Sequence, residues 1–148
     1  MRRAERFGSD LAVVFGDLDD FKRVNDRFGH GVGDDVLRTF AEVLDGRTRQ
    51  IDVCARLGGE EFAILLPETN VAGAELLAES LRAAVADLAV PAGPETVRVT
   101  ASFGVAAFPE THTADELLTA ADLALLRAKR QGKNRVVTIR RPLDTPAG

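Results

Sequence analysis

The sequence predicts an α+β fold: one largely antiparallel sheet with helices packed on a face. Three observations predict it. Short apolar runs such as Leu11–Phe15 and Phe62–Leu66 are too brief for helices and read as strands. Two such runs flank Gly58-Gly59, a pair suited to a tight hairpin because glycine takes φ > 0 freely. Longer stretches with apolar residues at helical spacing alternate with these strands.

The elements follow in order. Residues 1–7 read as the end of a charged helix stopped by Gly8. Leu11–Phe15 is a Val-rich buried strand that runs into Asp17-Leu18-Asp19-Asp20. A short helix over Phe21–Phe28 stops at Gly29. Gly33-Asp34-Asp35 opens a longer helix with Val36, Leu37, Phe40, Val43 and Leu44 on its stripe and acids at its positive end. Val53–Leu57 and Phe62–Leu66 form the hairpin, and Pro67 ends it. Ala72–Leu88 is helical, its stripe Leu77, Leu81, Val85 and Leu88. Val97, Val99, Ala101 and Phe103 alternate with Arg98, Thr100, Ser102 and Gly104, a strand with one wet face. Thr113-Ala-Asp-Glu116 is a capping box. It opens a helix with Leu117, Leu118, Ala121, Leu125 and Ala128 inward, ending near Gly132. Val136–Ile139 is a last strand. The tail 141–148, with Pro142 and Pro146, is expected to be flexible.

Composition narrows the functions. The 148 residues suit one domain, placed at 1–140, and no repeat or low-complexity linker divides them. With 19 basic and 23 acidic residues, the net charge of −4 disfavours nucleic acid as a partner. One cysteine and two histidines supply neither a disulfide nor a zinc site. Cys54 is expected to be a buried small hydrophobe, and His30 and His112 surface or turn residues. No run is long enough to span a bilayer and no signal-peptide pattern opens the chain, so a cytoplasmic setting is expected.

The acids carry the first chemical hint. Asp17 stands where an apolar strand ends, and Glu60 and Glu61 stand at a hairpin tip. If those strands pair, three carboxylates meet and repel, and a divalent cation relieves them. Oxygen-only ligands select Mg²⁺ or Mn²⁺, and such an ion favours a phosphate-bearing ligand. From composition alone, solvated loop acids are the favoured reading, since that is where most Asp and Glu stand. An EF-hand is excluded, because counting from Asp17 places Lys22 where its glycine belongs and Phe28 where its glutamate belongs.

Gly58-Gly59-Glu60-Glu61-Phe62 resembles the signature of the GGDEF family of diguanylate cyclases. So do Asp17-Leu-Asp-Asp-Phe-Lys-Arg-Val-Asn-Asp26, Phe28-Gly-His-Gly-Val-Gly-Asp34, Thr100-Ala-Ser-Phe-Gly-Val105 and Ala128-Lys-Arg-Gln-Gly-Lys-Asn-Arg135. The motifs lie in order from about Leu11 to Val137. The resemblance implies a ferredoxin-like nucleotidyl cyclase palm that joins two GTP into cyclic di-GMP across a homodimer, releasing two pyrophosphates. It implies Mg²⁺ or Mn²⁺ held by Asp17, Glu60 and the Leu18 carbonyl, with Glu61 activating the 3′-hydroxyl or holding a second metal. Asn25 and Asp34 match the guanine-reading pair. Lys129 and Lys133, with backbone N–H groups around Asp20, Phe21 and Lys22, match the phosphate grip.

The residues bear these roles physically. One carboxylate accepts both N1–H and the N2 amine of guanine, a donor pair adenine lacks, which makes Asp34 selective against ATP. Gly59 keeps the hairpin clear of the nucleotide. Other readings stand beside these: Asn25 caps the turn before Gly29, Asp34 is a helix N-cap, and the two lysines complement a helix C-terminus.

Arg49-Gln-Ile-Asp52 resembles the family's RxxD product-binding inhibitory site. An arginine fork suits guanine O6 and N7, and an aspartate the N1/N2 donors. A further arginine common in the next helix falls at Ser80, while Arg82 is expected to point elsewhere. Lys133 stands where arginine is common, keeping the charge without the fork. Gly16 replaces an apolar strand residue, which costs packing but allows close backbone approach. The family's opening Asp-x-Leu-Thr-Gly-Leu-x-Asn-Arg segment and most of the first helix do not match this chain, a departure that leaves a non-catalytic module binding GTP or cyclic di-GMP as the alternative function.

Overall fold

The computed structural model describes residues 10–108 and 113–140. The expected helix end at residues 1–7, His112 and the tail from 141 lie outside the described residues. The element order is β1 (Leu11–Leu18), α1 (Phe21–Phe28), α2 (His30–Arg47), β2 (Val53–Gly58), β3 (Glu61–Pro67), α3 (Val71–Ala86), β4 (Val90–Ala92), β5 (Glu95–Val97), β6 (Ala101–Phe108), α4 (Ala114–Arg130) and β7 (Val136–Thr138).

Five strands form one sheet in the order β2-β3-β1-β6-β7, and β4 pairs with β5 as a separate small hairpin. Pairing is antiparallel except for β6 with β7, which run parallel across the α4 crossover. The sheet alternation sorts β1 between two layers. Ala12 and Val14 join the core under α1, α2 and α3, built on Phe40, Phe62, Leu66 and Leu81. Val13 faces the other way with Ala106, Phe108, Leu117 and Ala121, under α4. Helices thus lie on both faces of the sheet.

Several expected details change for physical reasons. β6 is buried throughout because both of its faces are covered, so the wet face expected for Ser102 and Gly104 does not exist. Gly104 permits this: a Cβ there would lie 2.2 Å from Leu125 N and 2.4 Å from Ala121 O. Leu118 turns outward, and Ala120 and Ala124 take the inner stripe of α4. Cys54 is exposed, since β2 is a sheet edge with every residue accessible. α2 begins at His30, a turn earlier than Gly33, which places Asp34 inside the helix rather than at its N-cap. The β2–β3 turn is Gly59-Glu60, not Gly58-Gly59, because Gly58 pairs with Glu61 after a bulge. The single strand expected from Val97 through Gly104 is broken: Val97 closes the β4–β5 hairpin, which was not expected, and β6 starts only at Ala101.

Other expectations hold. α1 spans Phe21–Phe28, the Thr113/Glu116 capping box closes reciprocally, and His30 is exposed. Gly16 is approached closely, though by a side chain and not by backbone as expected: an added Cβ would lie 2.7 Å from the ring of Phe103.

Candidate active site

The pairing of β1 with β3 assembles the acids. Asp17 stands directly opposite Glu61, and Leu18 N donates to Glu60 O at 3.4 Å. Directly opposed residues project from the same face of an antiparallel pair. Glu60 sits in the hairpin turn, whose Gly59 adopts φ 47° and whose Gly59 carbonyl accepts from Arg56 Nε at 2.8 Å. A side chain at Gly59 would meet no protein atom within 4 Å, and its positive φ by itself favours glycine.

Asp17 is the electrostatic centre. Its Oδ2 lies 3.1 Å from Lys129 Nζ, while its Oδ1 is buried and has no partner. Its pKa is pushed up from 3.8 to about 6, foremost by burial and further by the charges of Glu60 and Glu61, against the pull of Lys129. Among the described residues no three acid, His or Cys side chains form a metal cluster by themselves. The donor set under consideration is smaller, two carboxylates and a main-chain carbonyl. An orphaned, buried carboxylate oxygen amid excess negative charge is what such a set leaves for a hard cation, so the residues fit Mg²⁺ or Mn²⁺.

Cations stand at the same rim. Lys129, in the last turn of α4, lies between Asp17 and Asp19, and Lys133 Nζ lies 2.6 Å from Asp20 Oδ1. That lysine holds the Asp20 carboxyl below its usual range. Asp20 has φ 55° and precedes α1, whose first residues are Phe21, buried, and Lys22, exposed. The backbone there opens a helix N-terminus beside the lysines.

Asn25 and Asp34, the two residues expected to read a base, are carried by α1 and α2. A Cβ added to Gly33 would lie 1.8 Å from Asn25 Oδ1, so the Asn25 side chain lies against the α2 backbone one residue from Asp34. Asn25 does terminate α1, but through its carbonyl, which accepts from Gly29 N at 2.9 Å.

Arg49 and Asp52 occupy a different part of the surface, after α2. The arginine donates from Nη2 to Asp52 Oδ1 at 2.8 Å and from its backbone N to Oδ2 at 2.6 Å. Its Nη2 also reaches Pro67 O and Thr69 Oγ1, each at 2.7 Å. Both Asp52 oxygens are taken by Arg49, which accounts for its 2 % side-chain exposure. A cavity of about 420 Å³ adjoins the pair. Arg47 lines it and donates to Ser80 Oγ at 2.7 Å. Arg82 points elsewhere, to Glu79 and Asn134.

Sequence reasoning passed over Asp19 and Asn134. Asp19 is 4 % exposed and accepts from Thr100, Ser102 and the Asn134 backbone. The signal was the acid run itself, which does not say which of its members turns inward.

With the geometry in place, likeness to known proteins decides the family. Residues 1–135 match the model for "Diguanylate cyclase, GGDEF domain". The chain belongs to the GGDEF family. It is 44 % identical to diguanylate cyclase DgcP of Pseudomonas aeruginosa over 90 % of this chain and 20 % of that protein. Among solved structures, it resembles the active GGEEF domain of a diguanylate cyclase from Vibrio cholerae, with TM-score 0.81 and 35 % identity over 92 % of this chain and 86 % of that one. It also resembles the GGDEF domain of DgcB from Caulobacter crescentus, crystallised with c-di-GMP, with TM-score 0.83 and 31 % identity over 92 % and 81 %. The sheet and helices are therefore those of a GGDEF domain, as the sequence resemblance implied. The chain spans about a fifth to a third of the curated relatives it matches first. No described helix is long and apolar enough to cross a membrane.

Proposed function

We propose that this domain is a diguanylate cyclase: it condenses two GTP into cyclic di-GMP and releases two pyrophosphates. The observation that carries the reading is the buried, unpartnered Asp17 Oδ1 at the end of β1, facing Glu61 and beside Glu60, with Lys129 and Lys133 at the same rim.

In this reading each protomer holds one GTP. Asn25 and Asp34 hold the guanine, Asp34 accepting from N1–H and the N2 amine. Lys129, Lys133 and the N–H groups of Asp20, Phe21 and Lys22 balance the triphosphate charge. Asp17, Glu60 and the Leu18 carbonyl would hold Mg²⁺ or Mn²⁺, which when bound neutralises phosphate charge and lowers the pKa of a hydroxyl. The 3′-oxygen of one GTP bonds to the α-phosphorus of the other, the bond to pyrophosphate breaks, and Glu61 accepts the hydroxyl proton. Repeating the step in the opposite sense closes the ring, so two protomers must face each other. Positioning and charge balance carry such transfers more than covalent chemistry.

Arg49 and Asp52 form the proposed product-inhibition site. Product binding there requires their mutual ion pair to open, and Arg47 supplies a nearby guanidinium where Ser80 stands.

Incubation with GTP and Mg²⁺ or Mn²⁺ followed by mass spectrometry tests the proposal. Cyclic di-GMP is expected, its rate rising faster than linearly with protein concentration. Glu60→Gln abolishes it, and Arg49→Ala spares it while relieving inhibition by added product. GTP or cyclic di-GMP binding without turnover would establish the non-catalytic module instead.

A further inference from the structure

Asp19 takes no part in the reaction just described, yet its carboxylate is buried, and burying a charge is costly unless partners compensate. The partners come from three other segments. Thr100 Oγ1 donates to Oδ2 at 2.7 Å and Ser102 Oγ to Oδ1 at 2.6 Å. The Asn134 backbone N–H donates to Oδ2 at 3.0 Å, and Lys129 Nζ stands 3.7 Å from Oδ1. Asp19 N in turn donates to Thr100 O at 2.9 Å. One side chain thereby ties the β1–α1 connection to β6 and to both ends of the α4–β7 turn.

That turn is strained. Gly132, Lys133 and Asn134 follow one another at φ 125°, 65° and 48°. Two successive non-glycine residues in the left-handed region persist only where their surroundings hold them. Asp19 grips the Asn134 backbone, and Arg82 Nη1 grips its side-chain Oδ1 at 2.9 Å. The conformation brings the Lys133 ammonium back over the start of α1, to Asp20.

We propose that Asp19 is a positioning residue for the triphosphate: it locks the 132–134 turn left-handed and so sets Lys129 and Lys133 together at the α1 entrance. The inference rests on the assignment of those lysines to the phosphates. It also predicts a sign opposite to simple electrostatics. A carboxylate beside an anion site weakens anion binding by its charge, so deleting it should strengthen triphosphate binding if charge were its only contribution.

The test compares affinities for GMP and for the α,β-methylene analogue of GTP, whose α–β bridge resists cleavage, by titration calorimetry on the intact chain. Asp19→Ala is expected to lower the analogue-to-GMP affinity ratio tenfold or more with GMP affinity kept within about twofold. Lys133→Ala should then add little in the Asp19→Ala background, because the two changes report one device. A ratio that stays level or rises overturns the proposal, as does equal loss of both ligands, which marks a merely structural role. Should Asp19→Ala fail to fold, Asp19→Asn keeps the shape and removes the charge that draws in Lys129. A threefold or larger fall in the ratio supports positioning, and a level or higher ratio refutes it. A parent chain that binds GMP as tightly as the analogue removes the phosphate assignment itself, and this inference with it.

Discussion

Gly33→Ala separates the proposed guanine recognition from stability in a single methyl group. The added Cβ would lie 1.8 Å from Asn25 Oδ1 and 2.9 Å from Asn25 Cγ, far inside contact distance, and 3.3 Å from Phe21 Cζ. Asn25 is half-buried on a short, rotatable side chain, so it swings away while the α1–α2 packing stays. In the proposed guanine site the lost contact is one hydrogen bond to the base, about 1 kcal/mol net, or roughly fivefold in affinity. Alanine inside a helix returns about 0.5–1 kcal/mol of backbone entropy, so fold stability should change little. GTP affinity by calorimetry and chemical denaturation read the two quantities separately. A double-mutant cycle closes the argument: in an Asn25→Ala background, Gly33→Ala should no longer weaken GTP binding. Equal fivefold losses in both backgrounds would refute the reasoning, as would unchanged GTP affinity in the folded single variant.

Other outcomes follow from the same geometry. Gly104→Ala drives a Cβ onto the α4 backbone, which cannot rotate aside, and should cost about 3 kcal/mol, or roughly 10 °C in Tm. A melt within a degree or two of the parent would contradict that packing. Gly46→Ala meets open space near the end of α2 and should be neutral or stabilising by up to ~1 kcal/mol in the same melts. Mg²⁺ or Mn²⁺ should raise the Tm, by about 1.4 kcal/mol of stability at tenfold over Kd. Asp17→Asn should abolish that rise, and an unchanged rise would remove Asp17 from the ion site.

The strands, the long helices and the capping box were legible because period and punctuation are local properties of the chain. The meeting of Asp17 with Glu60 and Glu61 was legible only as a condition, that their strands pair, and β1–β3 pairing fulfils it. What escaped was set by distant neighbours. β6 has no wet face because α4 covers what its alternation left polar. Cys54 is exposed because β2 is the edge of the described sheet, paired on one side alone, and Asp19 is held inside by hydroxyls from Thr100 and Ser102. The start of α2 was misplaced because glycines at 31 and 33 read as turn residues, although the helix runs through both.

The central position of β1 has a consequence for synthesis. Its neighbours on either side, β3 and β6, lie some 50 and 90 residues further along the chain, and Lys133 later still. A growing polypeptide therefore carries Asp17 long before it carries the strands and cations that surround it. Since domains fold as units once their contacts are available, the proposed nucleotide site cannot be assembled until nearly the whole domain has left the ribosome.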